Sequence, residues 1–147
     1  MLRFEVPGKR PGLNELIDAR MKTVAVKGSK RTTVYTRMKK EETDLFALCA
    51  RAANGKARRG SAHAMVLIDI YEPNKRRDPD NVQGAVRKFA LDGLVKAGVL
   101  QNDGWRDVHP TQLTRVGVDE LNPRTVVRVC WPQDDLYKYL ERVLEDL

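Results

Sequence analysis

Apolar and polar residues alternate over 2–6 (Leu-Arg-Phe-Glu-Val) and the pattern stops at Pro7-Gly8, which predicts a short first strand. After the turn Lys9-Arg10-Pro11-Gly12, residues 13–21 read as a short helix. The pattern weakens over 22–36, where Gly28-Ser29-Lys30-Arg31 reads as the tip of a basic loop or hairpin. Leu45, Leu48, Cys49 and Ala52 recur at helical spacing and predict a helix over 39–53, ended by Asn54-Gly55. A basic loop follows over 56–61, and then residues 64–71 (Ala-Met-Val-Leu-Ile-Asp-Ile-Tyr) are apolar enough for a central strand. Beyond a loop over 72–77, a helix is predicted over 81–97, closed by Gly98. A turn over 101–106 leads to strands over 111–118 and 125–131. A final helix over 134–147 carries an apolar stripe of Leu136, Tyr139, Leu140, Val143 and Leu147. Without repeats or a linker, this is an α+β fold in a single domain, residues 1–147: a small mixed sheet of about four strands packed with about three helices.

Composition narrows the function classes. The 147 residues, 41% hydrophobic and 32% charged, suffice for one domain with a real core. No run approaches the ~18 consecutive apolar residues of a membrane span. Arg3 and Glu5 place charge too early for a secretory signal, with no apolar run behind them, so the expected location is cytoplasmic. Cys49 and Cys130, each in an apolar setting, read as buried thiols. With only His63 and His109 as further soft ligands, they argue against a zinc site. The net charge of +7 implies an anionic partner, with nucleic acid first among polyanions. The basic runs at 27–31, 37–40, 56–59 and 75–77 all fall in or beside predicted loops.

The candidate chemistry lies between Arg76 and Asp103. Asp78 precedes Pro79 and is pushed toward an extended conformation, in which side chains at i and i+2 face one side. Asp78 and Asp80 can then share a hard cation such as Mg²⁺, which takes one or two carboxylates beside waters and substrate phosphates. Asp103, in the Asn102-Asp103-Gly104 turn, is a third candidate ligand if the chain doubles back after Gly98. The bland reading is that Asp-Pro-Asp-Asn is turn chemistry with Asp80 as helix N-cap. Lys88 and Asp92 stand at i, i+4. The pair is helix support, or it places a cation beside the metal site. Asp92 itself reads as structural. Trp105 could stack on a base, but packing against the domain is the preferred reading, and His109 reads as a surface residue.

These elements resemble the RusA-type Holliday junction resolvases, a family often encoded in prophages. The resemblance rests on Arg76-Arg77-Asp78-Pro79-Asp80-Asn81, then Asp92-Gly93-Leu94-Val95-Lys96-Ala97-Gly98-Val99-Leu100, then Asn102-Asp103. Pro11-Gly12-Leu13-Asn14 is also similar to the family's opening. The resemblance implies a RusA-like, homodimeric endonuclease, dependent on Mg²⁺ with Mn²⁺ as a substitute, that cuts four-way DNA junctions in recombination and repair. It implies Asp78, Asp80 and Asp103 as metal ligands and Lys88 as the helix lysine. Many members carry that lysine where this chain has Gly84, and matching from the end of a helix one turn longer gives Lys88. Many members have Asp-Asp at the final turn, where this chain has Asn102-Asp103. The helix after Trp131 is an addition.

In this reading Arg76 and Arg77, with Lys75 beside them, hold the DNA backbone near the metal. Lys30, Arg31, Arg58 and Arg59 contact junction arms through phosphates. The rivals are a nuclease for flaps or forks, a non-catalytic DNA-binding protein of the same fold, and a small phage structural or interaction protein.

Overall fold

The computed structural model describes residues 1–25, 31–54 and 63–147. The elements are β1 (Leu2–Pro7), α1 (Leu13–Arg20), β2 (Thr23–Ala25), β3 (Arg31–Thr33), α2 (Val34–Asn54), β4 (Met65–Glu72), α3 (Pro79–Lys96), β5 (Leu113–Val118), β6 (Arg124–Cys130) and α4 (Asp135–Glu145). The fold is α+β with four helices, a four-stranded mixed sheet and a two-stranded one. The larger sheet has the order β1-β6-β4-β5, antiparallel except for the parallel β4–β5 pair. The apolar run of β4 is central, as its composition predicts. The hairpin β2–β3 lies in the stretch where the sequence pattern fades.

Alternation along β4 separates two layers. Val66, Ile68 and Ile70 face the main core with Val127 and Val129 of β6 and with Phe46, Val82, Val86 and Phe89 of the helices. Met65 and Cys130 face the other way and are covered by Tyr137, Leu136 and Leu140 of α4. Helix α4 therefore caps the second face of the sheet, but with Leu136, Tyr137, Leu140 and Leu144; Tyr139, Val143 and Leu147 of the expected stripe are exposed, because the helix turns its Tyr137 face to Met65 and Cys130.

Helix α2 starts at Val34, ahead of the expected residue 39. Thr33 Oγ1 accepts the N–H of Thr36 at 3.1 Å, which satisfies a free donor of the first turn. Helices α2 and α3 approach tightly at Gly93, where a Cβ would come within 2.5 Å of Phe46 Cβ.

Helix α3 ends in a Schellman motif. Gly98 is left-handed at φ +78°, its N–H bonds Val95 O, and the Val99 N–H bonds Leu94 O at 3.0 Å. Most of the Asp92–Gly98 segment is thus spent on docking. Asp92 pairs with Lys39 at 3.9 Å, and Leu94 and Ala97 are buried. Lys96 pairs with Asp44, and the Lys96 carbonyl accepts from Arg51.

Candidate functional site

Asp78 and Asp80 sit at the start of α3. Asp78 is the N-cap residue, extended at φ −66° and ψ 145°, although its side chain makes no capping bond, and Pro79 opens the helix. Asp80, expected as the N-cap, lies instead within the first helical turn. Proline at the first helical position moves the boundary back by two residues. Both aspartates are exposed, and neither carboxylate has a hydrogen-bond or ion-pair partner among the described residues. Every other acid that precedes Asp103 forms an ion pair.

The first turn of α1 meets the first turn of α3 at this point. Asn81 Oδ1 accepts the Asn14 N–H at 2.8 Å, and Gly12 leaves room for Arg77 and Asn81, which a Cβ would approach at 2.9 and 3.1 Å. Two helix N-termini, each the positive end of a helix dipole, thus lie close to the aspartate pair.

Arg77 departs from the expected DNA contact. Its side chain is 12% exposed, and it pairs with Glu72, which is 4% exposed. It also bonds Glu15 at 2.8 Å and the Arg10 carbonyl at 2.8 Å. These partners occupy its two terminal nitrogens, while Nε is buried without a partner among the described residues, and they brace the loop that carries Asp78. Lys75 and Arg76 are exposed beside it. Arg31 is exposed on β3 and bonds Thr23 Oγ1 at 3.0 Å. Lys30, Arg58 and Arg59, with the expected basic loop at 56–61, lie outside the described residues.

Asp103 is not brought to Asp80. Because β5 pairs parallel to β4, the chain leaving α3 has to travel to the start of β4 before it can enter β5. There Ala64 bridges Val108, and Gly104 O accepts from Asp107 and Val108. Asp103 faces a cleft of about 530 Å³ between α2 and α3 with Asp92 and Lys96. Asp80 and Asp92 are about 18 Å apart along the helix at 1.5 Å per residue. Among the described residues no group of three or more His, Cys, Asp or Glu side chains is placed to hold a metal ion. The doubling back expected after Gly98 is therefore not seen, and the extended i, i+2 geometry expected to face Asp78 and Asp80 one way holds at Asp78 alone, since Asp80 is already helical.

Lys88 is exposed, and Asp92 pairs with Lys39 of α2 instead of with it. The cleft beside Asp80, about 330 Å³, is lined by Gln83, Gly84, Arg87, Gln112 and Thr114, without Lys88. Arg87 is the cation in this cleft, a residue outside the motif on which the family resemblance rests. It is 8% exposed, and burial pushes its guanidinium down to about 10. The signal was an arginine on the helix face shared with buried Val86 and Ala90, where a charge needs a reason.

Trp105 corrects the packing expectation, being 82% exposed next to Asp103. His109 is half-buried, and its Nδ1 accepts the Thr111 N–H at 3.0 Å, so it holds a turn. Cys130 is buried with its thiol pushed up to about 11, chiefly by that burial, which leaves it a poor nucleophile. No helix among the described residues is long and apolar enough to cross a membrane. No protein-family model matches the chain, and the search of curated proteins finds no match.

Proposed function

We propose that this protein is a Mg²⁺-dependent endodeoxyribonuclease that cuts four-way DNA junctions as a homodimer. The observation that carries the reading is the Asp78/Asp80 pair: two exposed carboxylates without partners among the described residues, at one helix start, in a chain of net charge +7 whose other acids before Asp103 are ion-paired. Unneutralised acids on a basic surface repel phosphate unless a cation stands between them.

Asp78 and Asp80 would hold the metal. When bound, Mg²⁺ supplies a water of lowered pKa and a Lewis-acid contact to the scissile phosphate. The start of α3 adds its dipole to the attraction for phosphate, and Lys75 and Arg76 hold the flanking backbone. Trp105 offers an exposed ring on which a base unpaired at the junction can stack. Two copies about a twofold axis present two sites to a substrate that is itself twofold-symmetric. Asp103 joins such a site only from the second copy, since within one chain it lies toward the other end of α3.

The distance of Asp103 from the pair favours one rival, a DNA-binding protein of the same fold without catalysis. The deciding assay is Mg²⁺-dependent cleavage of a synthetic four-way junction beside a flap and a linear duplex. Junction cleavage that Asp80→Asn abolishes while binding persists is the expected result. Equal cutting of all three substrates overturns junction specificity. Binding without cleavage in Mg²⁺ or Mn²⁺ leaves the non-catalytic reading.

A further inference from the structure

Arg87 is a buried cation with almost nothing to bond. Among the described residues its buried Nε and Nη2 have no hydrogen-bond partner, and Nη1 reaches only the Val66 carbonyl at 3.5 Å, the outer limit of a hydrogen bond. No acid among the described residues forms an ion pair with it, although Asp80 lines the same cleft. A guanidinium taken out of water without a counter-ion is costly, so a fold that keeps one there needs a compensating partner in some state of the protein.

The cleft fits one kind of partner. Gln83, Gln112 and Thr114 line it with neutral groups able to donate hydrogen bonds, and Gly84 leaves it open, since a Cβ there meets nothing within 4 Å. Arg87 lines the cleft, but its Nε and Nη2 are closed to solvent, so the guanidinium has to turn toward the opening to present its planar fork, which among these neutral donors matches a phosphate accepting two parallel bonds. The cleft runs along α3 and the sheet-edge strand β5, with Asp80 at its rim.

We propose that Arg87 seats one backbone phosphate of the bound DNA strand, next to the phosphate held at Asp78 and Asp80. This rests on the nucleic-acid reading above and deepens it. Arg87 is then a positioning residue that fixes the register of the strand against the aspartate pair. The seat reads phosphate and not base, so its contribution is the same for any sequence.

The test is the salt dependence of binding, by fluorescence anisotropy, of a labelled four-way junction in EDTA, where no cleavage occurs. Wild type is compared with Arg87→Met and with Gly84→Asp, which sets a carboxylate in the cleft where the helix has room for it. Loss of one phosphate contact lowers the slope of log affinity against log salt by about one and weakens binding to all sequences alike. Circular dichroism and Tm accompany each variant; Arg87→Met is expected to melt no lower than wild type, because it removes an unpaired buried charge. If Arg87→Met does not fold, Gly84→Asp decides alone. Junction binding by wild type with an unchanged slope in the folded variants overturns the seat and leaves the nuclease reading standing. No junction binding by wild type overturns both.

Discussion

Asn81 Oδ1 accepts the backbone N–H of Asn14 at 2.8 Å, which ties the start of α3 to the start of α1 across 67 residues of sequence. The bond satisfies one of the free donors of α1 and holds the first turn of α3, where Asp80 sits. Asn81→Ala should lower stability by about 1 kcal/mol, as loss of a single such bond does. It should lower junction cleavage more than junction binding, because it loosens the aspartate pair without removing positive charge. Parallel melting and cleavage assays check this. Equal loss of binding and cleavage contradicts it.

Arg77 separates a structural arginine from a DNA contact. Arg77→Met strips buried Glu72 of its partner, and breaking such a pair costs about 3–5 kcal/mol. Chemical denaturation should show that loss without DNA present. A variant of wild-type stability that only binds DNA less well would return Arg77 to the role its sequence position suggests.

The placement of Asp103 predicts complementation. Asp80→Asn and Asp103→Asn, each inactive alone, should regain cleavage when mixed and refolded together. Each mixed dimer then carries one intact site, so nicked junctions should appear in place of paired cuts. Silence in the mixture shows that Asp103 does not act from the second copy.

Gly93→Ala should destabilise the domain by about 1–3 kcal/mol, the usual cost of overpacking a tight core. Its Cβ would lie 2.5 Å from Phe46 Cβ, with the Ala47 backbone nitrogen at 3.1 Å, so neither neighbour can move cheaply. Thermal melts of Gly93→Ala against Gly84→Ala are the control, because a Cβ at Gly84 meets nothing.

Asp69, 5% exposed, accepts from Arg115 Nε at 2.6 Å and from Arg128. The bond from Arg115 lowers its carboxyl below the usual range, burial opposes this, and Arg128 adds to the lowering. A lowered folded-state pKa gives stability that is present above the unfolded value near 4 and is lost as pH falls below it. Asp69→Asn should cost about 2 kcal/mol at neutral pH. The gap to wild type should narrow below about pH 4, as wild type takes up the same proton. A gap that stays constant down to pH 2 shows that the pair contributes no linkage.

Local chemistry was legible in the sequence. The helix end at Lys96-Ala97-Gly98, the central strand at β4 and the existence of α4, though not the face it buries, follow from period and from a glycine free to take positive φ. Those features act over a few neighbours along the chain, so the chain alone determines them. Tertiary structure decided which charges are spent and which are free. Arg77 reads as a basic loop residue until Glu72 and Glu15 close on it, and Asp92 reads as a partner of Lys88 until α2 brings Lys39. Arg87 looks like an ordinary helix arginine until β4 and β5 enclose it, and Trp105 looks like a core residue until its turn leaves the sheet. The meeting of Asp103 with Asp78 and Asp80 was a statement about topology, and the parallel pairing of β4 with β5 sends Asp103 toward the far end of α3. Charge and spacing along a chain cannot express that, because which end of a helix faces which is fixed only when the strands on either side choose their direction.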